Sequence, residues 1–393
     1  MGFTRRQFLV AAVGAAGAAT AAVVVRRRLG GSNSAQTDNP PAAAGDPAPL
    51  VAKARGLLVG AFTTLEPATK KTRYSLSLVD EEGRLARTLE LAFPFHGFSP
   101  DPTNVARVAL FQKKGSGACE IDLVAGKVLR PIETVPERLF YGHGVFSADG
   151  KVLYSTETVV KSQEGLIVVR DGRSLAIVGE LPSHGKNPHD CLLLDDGKTL
   201  AITNGGGTLD DAASPPNVAY VDIASTKLLE RVTFPDPRIN AGHLAVTKAR
   251  DLVVVSAPRK GLADSEHGGV TIRPAGGAAR TMTEPAATVG KLVGETLSVA
   301  VHEPTGVAAT TTPDGNVLVF WDLKKGTQVR AVDLTAPRGV AVTRDQRHFA
   351  VSHGLRGELA FFSTETLERE PALEVPGAQM SGSHIYVWTP PAA

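Results

Sequence analysis

One unit of sequence recurs along this chain, and it restricts the fold more than any other feature. The copy at Phe140–Glu157 has a histidine, a short apolar run, an Ala-Asp-Gly turn and a second β-rich run. The segment Asn187–Asn204 repeats this plan, and Asp-Gly between two such runs is a strong hairpin signal. Histidines in the same place follow one another at intervals of 47, 46 and 54 residues: His96, His143, His189 and His243.

The period and the strand content predict an all-β fold. Repeats of about 40–50 residues with four short strands each are typical of β-propeller blades. Three further strand starts, at Ser298, Arg338 and His384, bring the number of copies to seven. Three strands within Leu57–Leu91 lack an innermost partner, which the last strand, Ile385–Trp388, would supply. We therefore expect a seven-bladed β-propeller with four-stranded antiparallel blades, closed when the C-terminal strand joins the N-terminal blade.

The N-terminus has the features of an export signal. Thr4–Leu9 is a twin-arginine pattern, and the uncharged stretch Val10–Val25 follows it. We interpret residues 1–29 as a twin-arginine signal segment, 30–50 as a disordered linker and 51–390 as the β-propeller. The protein is therefore expected in the periplasm. Retention of the N-terminal segment as an inner-membrane anchor stays open, because three arginines directly follow the apolar stretch.

Charge and motif content narrow the classes of function. The 393 residues carry a net charge of +2 without a basic stripe of interleaved aromatic side chains, so we expect no nucleic-acid partner. The sequence contains no nucleophile-elbow, haem-attachment or paired-cysteine metal motif. These observations favour a binding protein over an enzyme without deciding between them.

The repeated histidines predict a site. Because the residue that opens each innermost strand lies near one mouth of a propeller's channel, residues far apart in sequence meet there. Five of the ten histidines occupy this position, and neutral imidazole is the commonest metal ligand. Since stacked sheets lie about 10 Å apart, we expect two or three of them to share a transition-metal ion, iron or copper. The alternative is that each histidine only fixes the spacing of the blades. The five are His96, His143, His189, His243 and His384.

Polar residues at the ends of the second strands are expected at the same mouth. Arginines there would hold a small anionic ligand through charge-assisted hydrogen bonds, with Glu157 as a candidate base. Convergent polar groups in a concavity are the general sign of a binding site. The candidate ligand-binding residues are Arg338, which opens an innermost strand, and five residues at second-strand ends or in the loops that follow: Glu157, Asn204, Arg259, His353 and Arg356.

Three functions are open at this point. The first is a non-catalytic exported propeller that binds a metal ion or a small-molecule ligand. The second is an enzyme, either a metal-dependent oxidoreductase or a lyase or hydrolase that acts on an anionic substrate. The third is a protein-interaction scaffold, in which the loops Asn204–Pro216 and Ala257–Gly268 bind cell-envelope proteins.

Two motifs, at Phe140–Gly150 and Ser183–Asp190, are similar to those of a known family. Over about Ala54–Trp388 the sequence resembles the twin-arginine-exported propellers of domain of unknown function 1513. The resemblance implies a bacterial cell-envelope protein. Because such proteins often occur beside imelysin-type lipoproteins, it also implies a link to iron acquisition. Phe111–Gly117 departs from the Ala-Arg-Arg-Pro-Gly-like strand end of the family. The motif residues, which have no assigned roles, are His143, His184, His189 and Asn204.

Overall fold

The computed structural model describes residues 56–80 and 83–391. The predicted export signal and linker lie outside the described residues, as do residues 51–55 of the predicted propeller. Within the described part, regular structure other than strands is limited to one helix, α1 (Ala286–Val289), and one 3-10 turn (Pro371–Leu373). Neither of these helices has the length and apolar character needed to cross a membrane. The all-β prediction is confirmed.

The described strands form six antiparallel sheets. We divide the sheet of eight strands into two consecutive groups of four, which gives seven groups. Six groups have four strands and the last has three. In group 1 the last strand of the chain occupies the first position. Group 1 holds β27 (Ile385–Trp388), β1 (Leu57–Leu65), β2 (Thr72–Asp80) and β3 (Leu85–Leu91). Group 2 holds β4 (Phe95–Asp101), β5 (Asn104–Gly115), β6 (Ala118–Asp122) and β7 (Lys127–Pro131). Group 3 holds β8 (Arg138–Phe146), β9 (Val152–Val159), β10 (Glu164–Asp171) and β11 (Ile177–Lys186).

The remaining groups keep the same order. The four-strand plan predicted from the repeat is confirmed in groups 1 to 6, whereas group 7 has three strands among the described residues. Group 4 holds β12 (Pro188–Leu193), β13 (Thr199–Asn204), β14 (Asn217–Asp222) and β15 (Leu228–Thr233). Group 5 holds β16 (Leu244–Val246), β17 (Leu252–Ser256), β18 (Gly269–Arg273) and β19 (Arg280–Thr281). Group 6 holds β20 (Ser298–His302), β21 (Val307–Thr312), β22 (Val317–Asp322) and β23 (Thr327–Asp333). Group 7 holds β24 (Val340–Val342), β25 (His348–His353) and β26 (Glu358–Ser363).

The turn between the first two strands of group 3 shows how the repeated sequence folds. The Ser147 N–H donates to Val152 O at 2.8 Å and closes the turn. Asp149 accepts hydrogen bonds from the Ser147 hydroxyl and the Lys151 N–H. Gly150 has a φ of +68°, which glycine adopts without steric penalty. The Asp-Gly pair of the repeat therefore forms the predicted turn.

Burial falls from the second strand of a group to the fourth. All six residues of β13 are buried, which fits a strand covered on both faces. In β23 exposed residues alternate with half-buried ones, which is the period of a strand at the surface. The second and third strands are therefore the interior elements of a group.

Apolar side chains pack between successive groups. Seven clusters of buried apolar residues occur in the described part of the chain, and each is shared by two neighbouring groups. Phe111 of group 2 contacts Phe140 of group 3, for example, with ring centroids 5.6 Å apart. The cluster between groups 7 and 1 contains Leu359 from one group and Leu58 from the other. Every group is thus packed against two others, through burial that contributes about 25 cal/mol per Å².

Two contacts between distant strands define the surroundings of the site. In group 1, β27 pairs with β1 over Leu57 with Trp388 to Gly60 with Ile385. Groups 2 and 3 form one larger sheet, because the end of the 12-residue β5 pairs with the start of β8. This second contact places Lys113 opposite Tyr141, which lies on the same strand as His143.

Candidate metal centre

The five repeated histidines come from five different groups and meet at one place. His96 and His189 are the second residues of β4 and β12, His243 and His384 directly precede β16 and β27, and His143 lies within β8. His143 is anchored by its own backbone, whose N–H donates to Thr156 Oγ1 on the second strand at 3.2 Å. Nine of the ten pairs of rings have centroids between 4.1 and 5.4 Å apart. Residues that are up to 288 positions apart in sequence are therefore direct neighbours.

The imidazole Nε2 atoms face one another. His243 Nε2 lies 2.8 Å from His189 Nε2, 2.9 Å from His384 Nε2 and 3.0 Å from His96 Nε2. His384 Nε2 and His96 Nε2 are 3.3 Å apart. His96, His143, His243 and His384 each offer a ligand nitrogen, all within 4.8 Å of one another. Four of these histidines could therefore hold one metal ion, and the fifth is in contact with them.

Hydrogen bonding among the rings does not account for this arrangement. One imidazole nitrogen either donates a single proton or accepts at a single lone pair in the ring plane. His243 Nε2 has three nitrogen neighbours at 3.0 Å or less, so at most one of these contacts can be a hydrogen bond. The other contacts bring nitrogen atoms together without a proton between them.

Backbone carbonyl groups fix the tautomers of two histidines. His189 Nδ1 lies 3.0 Å from Tyr141 O, and His243 Nδ1 lies 2.5 Å from Leu297 O. A carbonyl oxygen only accepts, so each Nδ1 carries the proton and each Nε2 of the neutral ring has a free lone pair. These two lone pairs point toward each other at 2.8 Å. A cation between them would relieve that repulsion, and a backbone partner on the other nitrogen is usual for metal-bound histidine.

His143 meets a carboxylate on one side and has a free nitrogen on the other. Its Nδ1 lies 3.4 Å from Asp190 Oδ1, while its Nε2 is buried and has no hydrogen-bond partner. Asp190 is held in turn by the backbone N–H groups of Cys191 and Leu244. Burial raises the pKa of Asp190 to about 7. A carboxylate behind a histidine fixes its ring orientation, as is common around metal ions.

All five imidazoles are held in the neutral form that binds metals. Burial lowers the pKa of His143 to about 3, with a smaller contribution from the charge of Lys113. Burial is also the main cause of pKa values well below the usual range in the other four rings. A metal ion would therefore compete with few protons for these nitrogens near neutral pH.

The nitrogen separations fit the edges of a coordination polyhedron. With metal–nitrogen bonds of about 2.0–2.1 Å, ligands at right angles are about 2.9 Å apart and tetrahedral ligands about 3.4 Å apart. The four observed Nε2 separations run from 2.8 to 3.3 Å. More histidines meet than the two or three expected from sequence, because the residues that carry them approach one another more closely than stacked sheets do.

Arg338 lies in the first-strand position of group 7, beside acidic groups. Its Nε is buried without a hydrogen-bond partner. Burial lowers the pKa of its guanidinium, and the charges of Glu295 and Asp314 act in the opposite direction. Arg338 is thus placed among charged residues near the strand starts, and its predicted role as an anion ligand stays a prediction.

Glu157 lies in a buried ion pair. Its Oε1 is 2.6 Å from Arg170 Nη2, and both side chains are at most 1% exposed. Thr134 Oγ1 donates to its other carboxylate oxygen at 2.5 Å. Its hydrogen-bonding partners in the described structure are these two residues and Ser155, and none of them belongs to the histidine cluster. The structure therefore places Glu157 inside group 3 and does not bring it to the imidazoles.

Asn204 and Arg259 organise the loop that follows β13. Asn204 Nδ2 donates to Ser183 O at 2.8 Å and to Asn217 Oδ1 at 3.2 Å. The Arg259 guanidinium, which is 4% exposed, donates to Gly207 O and to further carbonyls of the same loop. Arg259 also donates to Pro237 O at 3.4 Å, outside this loop, and Ser183 lies in β11. The described hydrogen bonds of both side chains therefore go to backbone and amide groups and not to the imidazoles.

His353 and Arg356 lie at the turn between β25 and β26. His353 Nδ1 is buried and has no hydrogen-bond partner, and burial lowers the pKa of the ring. Arg356 is exposed, and its backbone N–H donates to Glu358 Oε2 at 3.2 Å. The structure does not join either side chain to the five imidazoles by a described contact.

Sequence reasoning missed three residues of the cluster's surroundings. Asp190 directly follows His189 in the motif, so the adjacent acidic residue was a usable signal. Lys113 and its partner Glu295 are 182 residues apart, and nothing in the sequence links them. The charge of Lys113 contributes to the lowered pKa of all five histidines, although its segment is the one that departs from the family pattern.

Comparison with known proteins identifies the family. The family model described as "Protein of unknown function (DUF1513)" matches residues 89–383. The chain belongs to this family. The resemblance inferred from the two motifs of the DUF1513 chain is confirmed, whereas no curated protein matches it.

Solved structures support the fold of the DUF1513 chain. Hydrazine synthase from Kuenenia stuttgartiensis is similar with a TM-score of 0.59 and 15% identity, over 79% of this chain and 96% of that one. A chain of the mitotic checkpoint complex is similar with a TM-score of 0.53 and 14% identity, over 72% and 78%. At this level of identity the likeness shows a propeller-like fold alone.

Proposed function

We propose that this DUF1513 protein is an exported seven-bladed β-propeller that binds one transition-metal ion, iron or copper, through histidines at its channel mouth. The observation that carries the proposal is the convergence of buried imidazoles whose Nε2 atoms are 2.8–3.3 Å apart. His189 and His243 have free lone pairs on these atoms, because their Nδ1 protons are donated to carbonyl groups.

Packing supports the seven-bladed ring. Each of the seven strand groups shares one apolar cluster with the group before it and one with the group after it. Group 7 packs against group 1, and β27 completes group 1 from the far end of the chain. A closed ring is the simplest arrangement with this order of neighbours, and it removes open sheet edges between the two chain ends.

The donor set favours iron or copper. Neutral imidazole nitrogens suit late first-row transition metals, whereas magnesium and calcium prefer oxygen ligands. Three of the four Nε2 separations, from 2.8 to 3.0 Å, are near the value of about 2.9 Å for right-angled ligands. Six-coordinate iron and tetragonal copper have such angles, while tetrahedral zinc does not.

The proposed location rests on the sequence. The twin-arginine pattern at Thr4–Leu9 directs folded proteins to the periplasm, so a metal bound in the cytoplasm would be exported in place. The N-terminal segment would then either be removed or hold the propeller at the inner membrane. Family resemblance supports a role in iron acquisition at the cell envelope, with other envelope proteins as partners.

Elemental analysis of the exported protein tests the proposal. We expect about one iron or copper ion per chain in protein purified from the periplasm, and retention of that ion through gel filtration. His243→Ala should weaken metal binding by more than about 100-fold, since its Nε2 contacts three other Nε2 atoms. Affinity is measured by competition with a chelator of known strength.

Two variants make this result interpretable. His184→Ala is the matched control, because His184 is bound to Thr226 O outside the cluster and should keep full affinity. His96→Ala is a second test if His243→Ala does not fold, with circular dichroism as the check on folding. A folded wild-type protein that retains neither iron nor copper would disprove the metal site.

A further inference from the structure

Lys113 lies at the same mouth as the histidines without being a metal ligand. Its backbone pairs with Tyr141, and its Nζ is 3.2 Å from Glu295 Oε1. The two side chains are 29% and 35% exposed, so solvent and small solutes reach them. This ion pair is therefore accessible, unlike the buried imidazoles beside it.

The ion pair connects the two segments that orient the closest pair of imidazoles. Tyr141, opposite Lys113, holds Nδ1 of His189 through its carbonyl group. Leu297, two residues after Glu295, holds Nδ1 of His243 in the same way. The ammonium group is close enough to the rings that, after burial, its charge contributes to the lowered pKa of each of the five.

The charges around a bound metal would not balance without a further group. Five neutral imidazoles leave the full charge of a divalent cation uncompensated, and a buried charge without a partner is strongly unfavourable. Asp190 is the carboxylate that the described structure places against these rings, at 3.4 Å from His143 Nδ1. An ammonium group beside the site adds positive charge and by itself weakens metal binding.

We propose that the histidine-bound metal takes a small anion as an additional ligand, and that Lys113, steadied by Glu295, is the charge partner of that anion. This inference rests on the metal site proposed above. The anion lies between two cations, so it offsets the charge of both, and the Lys113 ammonium donates a charge-assisted hydrogen bond to it. Nothing is oxidised or transferred in this binding step.

The structure limits the class of ligand. His96 and His143 are each only 8% exposed, so a ligand that reaches the metal must be small. A carboxylate or a small inorganic oxyanion has an oxygen for the metal and a second oxygen for the ammonium group. The shared chemistry is thus a compact, singly charged oxygen donor, either free or at the end of a larger molecule.

Azide binding to the copper-loaded protein tests the inference. Copper(II) is loaded to one equivalent, and azide is titrated while its charge-transfer absorption is followed. Acetate is then added as a competitor. Lys113→Met should bind azide about tenfold more weakly, because one of the two cations that hold the anion is lost. Its copper affinity should be unchanged or higher, since a repulsive charge has been removed.

Controls separate this proposal from the metal site itself. Lys114→Met should behave like the wild type. The Lys114 Nζ lies over the Tyr141 ring, 5.6 Å from its centroid. Its charge is not among the causes of the lowered pKa values of the five histidines. Lys113→Arg should keep most of the azide affinity. Equal azide affinity in the wild type and Lys113→Met, with copper bound in both, would overturn this inference alone. A wild type that takes up no copper would overturn it together with the metal site.

Discussion

Mild acid is expected to destabilise the metal-free protein strongly, because five buried imidazoles must stay neutral for it to fold. In the unfolded chain a histidine titrates near pH 6.5. In the folded chain burial lowers the pKa of all five rings, that of His143 to about 3. Below pH 6.5 the unfolded chain therefore binds protons that the folded chain does not, and the free energy of unfolding falls as pH falls.

The magnitude follows from the number of groups. Each histidine that protonates only on unfolding lowers the free energy of unfolding by about 1.2 kcal/mol between pH 7 and pH 5.5, or about 6 kcal/mol for five. Asp190 acts in the opposite direction. Burial raises its pKa to about 7, so the folded state keeps a proton that the unfolded state has released. Protonation of Asp190 therefore offsets about 1.6 kcal/mol of this loss, so the free energy of unfolding falls by about 4–5 kcal/mol in total. That is about half of a typical domain's stability.

Urea unfolding of chelator-treated protein, followed by circular dichroism at pH 7.0 and 5.5, measures this loss. The slope of free energy against urea should be unchanged, so the loss appears in the midpoint. His184→Gln is the control, because His184 lies outside the cluster and contacts Thr226 O, and it should leave the loss as it is. A loss below about 1 kcal/mol would mean that the folded cluster takes up protons, and the argument from burial would then be wrong.

Two substitutions test the placement of side chains around the cluster. Glu157→Gln should lower the free energy of unfolding by about 3–5 kcal/mol, because Arg170 loses its buried counter-charge, while metal content stays unchanged. Loss of metal with unchanged stability would instead show that Glu157 takes part in metal binding. Gly142→Ala should weaken metal binding at least about tenfold, because the added Cβ would lie 2.9 Å from His96 Cδ2. Gly197→Ala is the control, because Gly197 also has a positive φ but nothing lies within 4 Å of the added Cβ. It should lose about 1 kcal/mol of stability and keep the metal. Equal metal affinity in both glycine variants would contradict the geometry.

The repeat allowed much of the fold and the identity of the five imidazoles to be predicted. When a histidine recurs at one position of a strand repeat, the number of strands between copies is enough to predict where each copy lies. The proximity of distant residues such as His96 and His384 could therefore be predicted from sequence. Side-chain direction could not be predicted in this way. Glu157 was expected at the end of its strand, but β9 continues to Val159, and the Glu157 carboxylate pairs with the buried Arg170 guanidinium.

Contacts through the backbone were also beyond the sequence. The carbonyl groups of Tyr141 and Leu297 set the tautomers of two histidines, and a carbonyl group is present at every residue, so no side-chain pattern marks it. Lys113 comes near the histidine cluster because β5 extends past its own group to pair with β8. That extension depends on where the neighbouring group begins, which is a property of the assembled fold.

Packing alone does not explain why histidine was chosen for five of the seven strand starts. At the start of group 6 the position is held by Ser298, whose Oγ accepts a hydrogen bond from Val340 N–H of the next group at 3.3 Å. A serine can thus make the same kind of contact between neighbouring groups that the Nδ1 of His189 or His243 makes. What imidazole adds is a second nitrogen on the far side of the ring. In this cluster that second nitrogen points at other nitrogens rather than at a donor, and the arrangement is favourable when a cation lies among them.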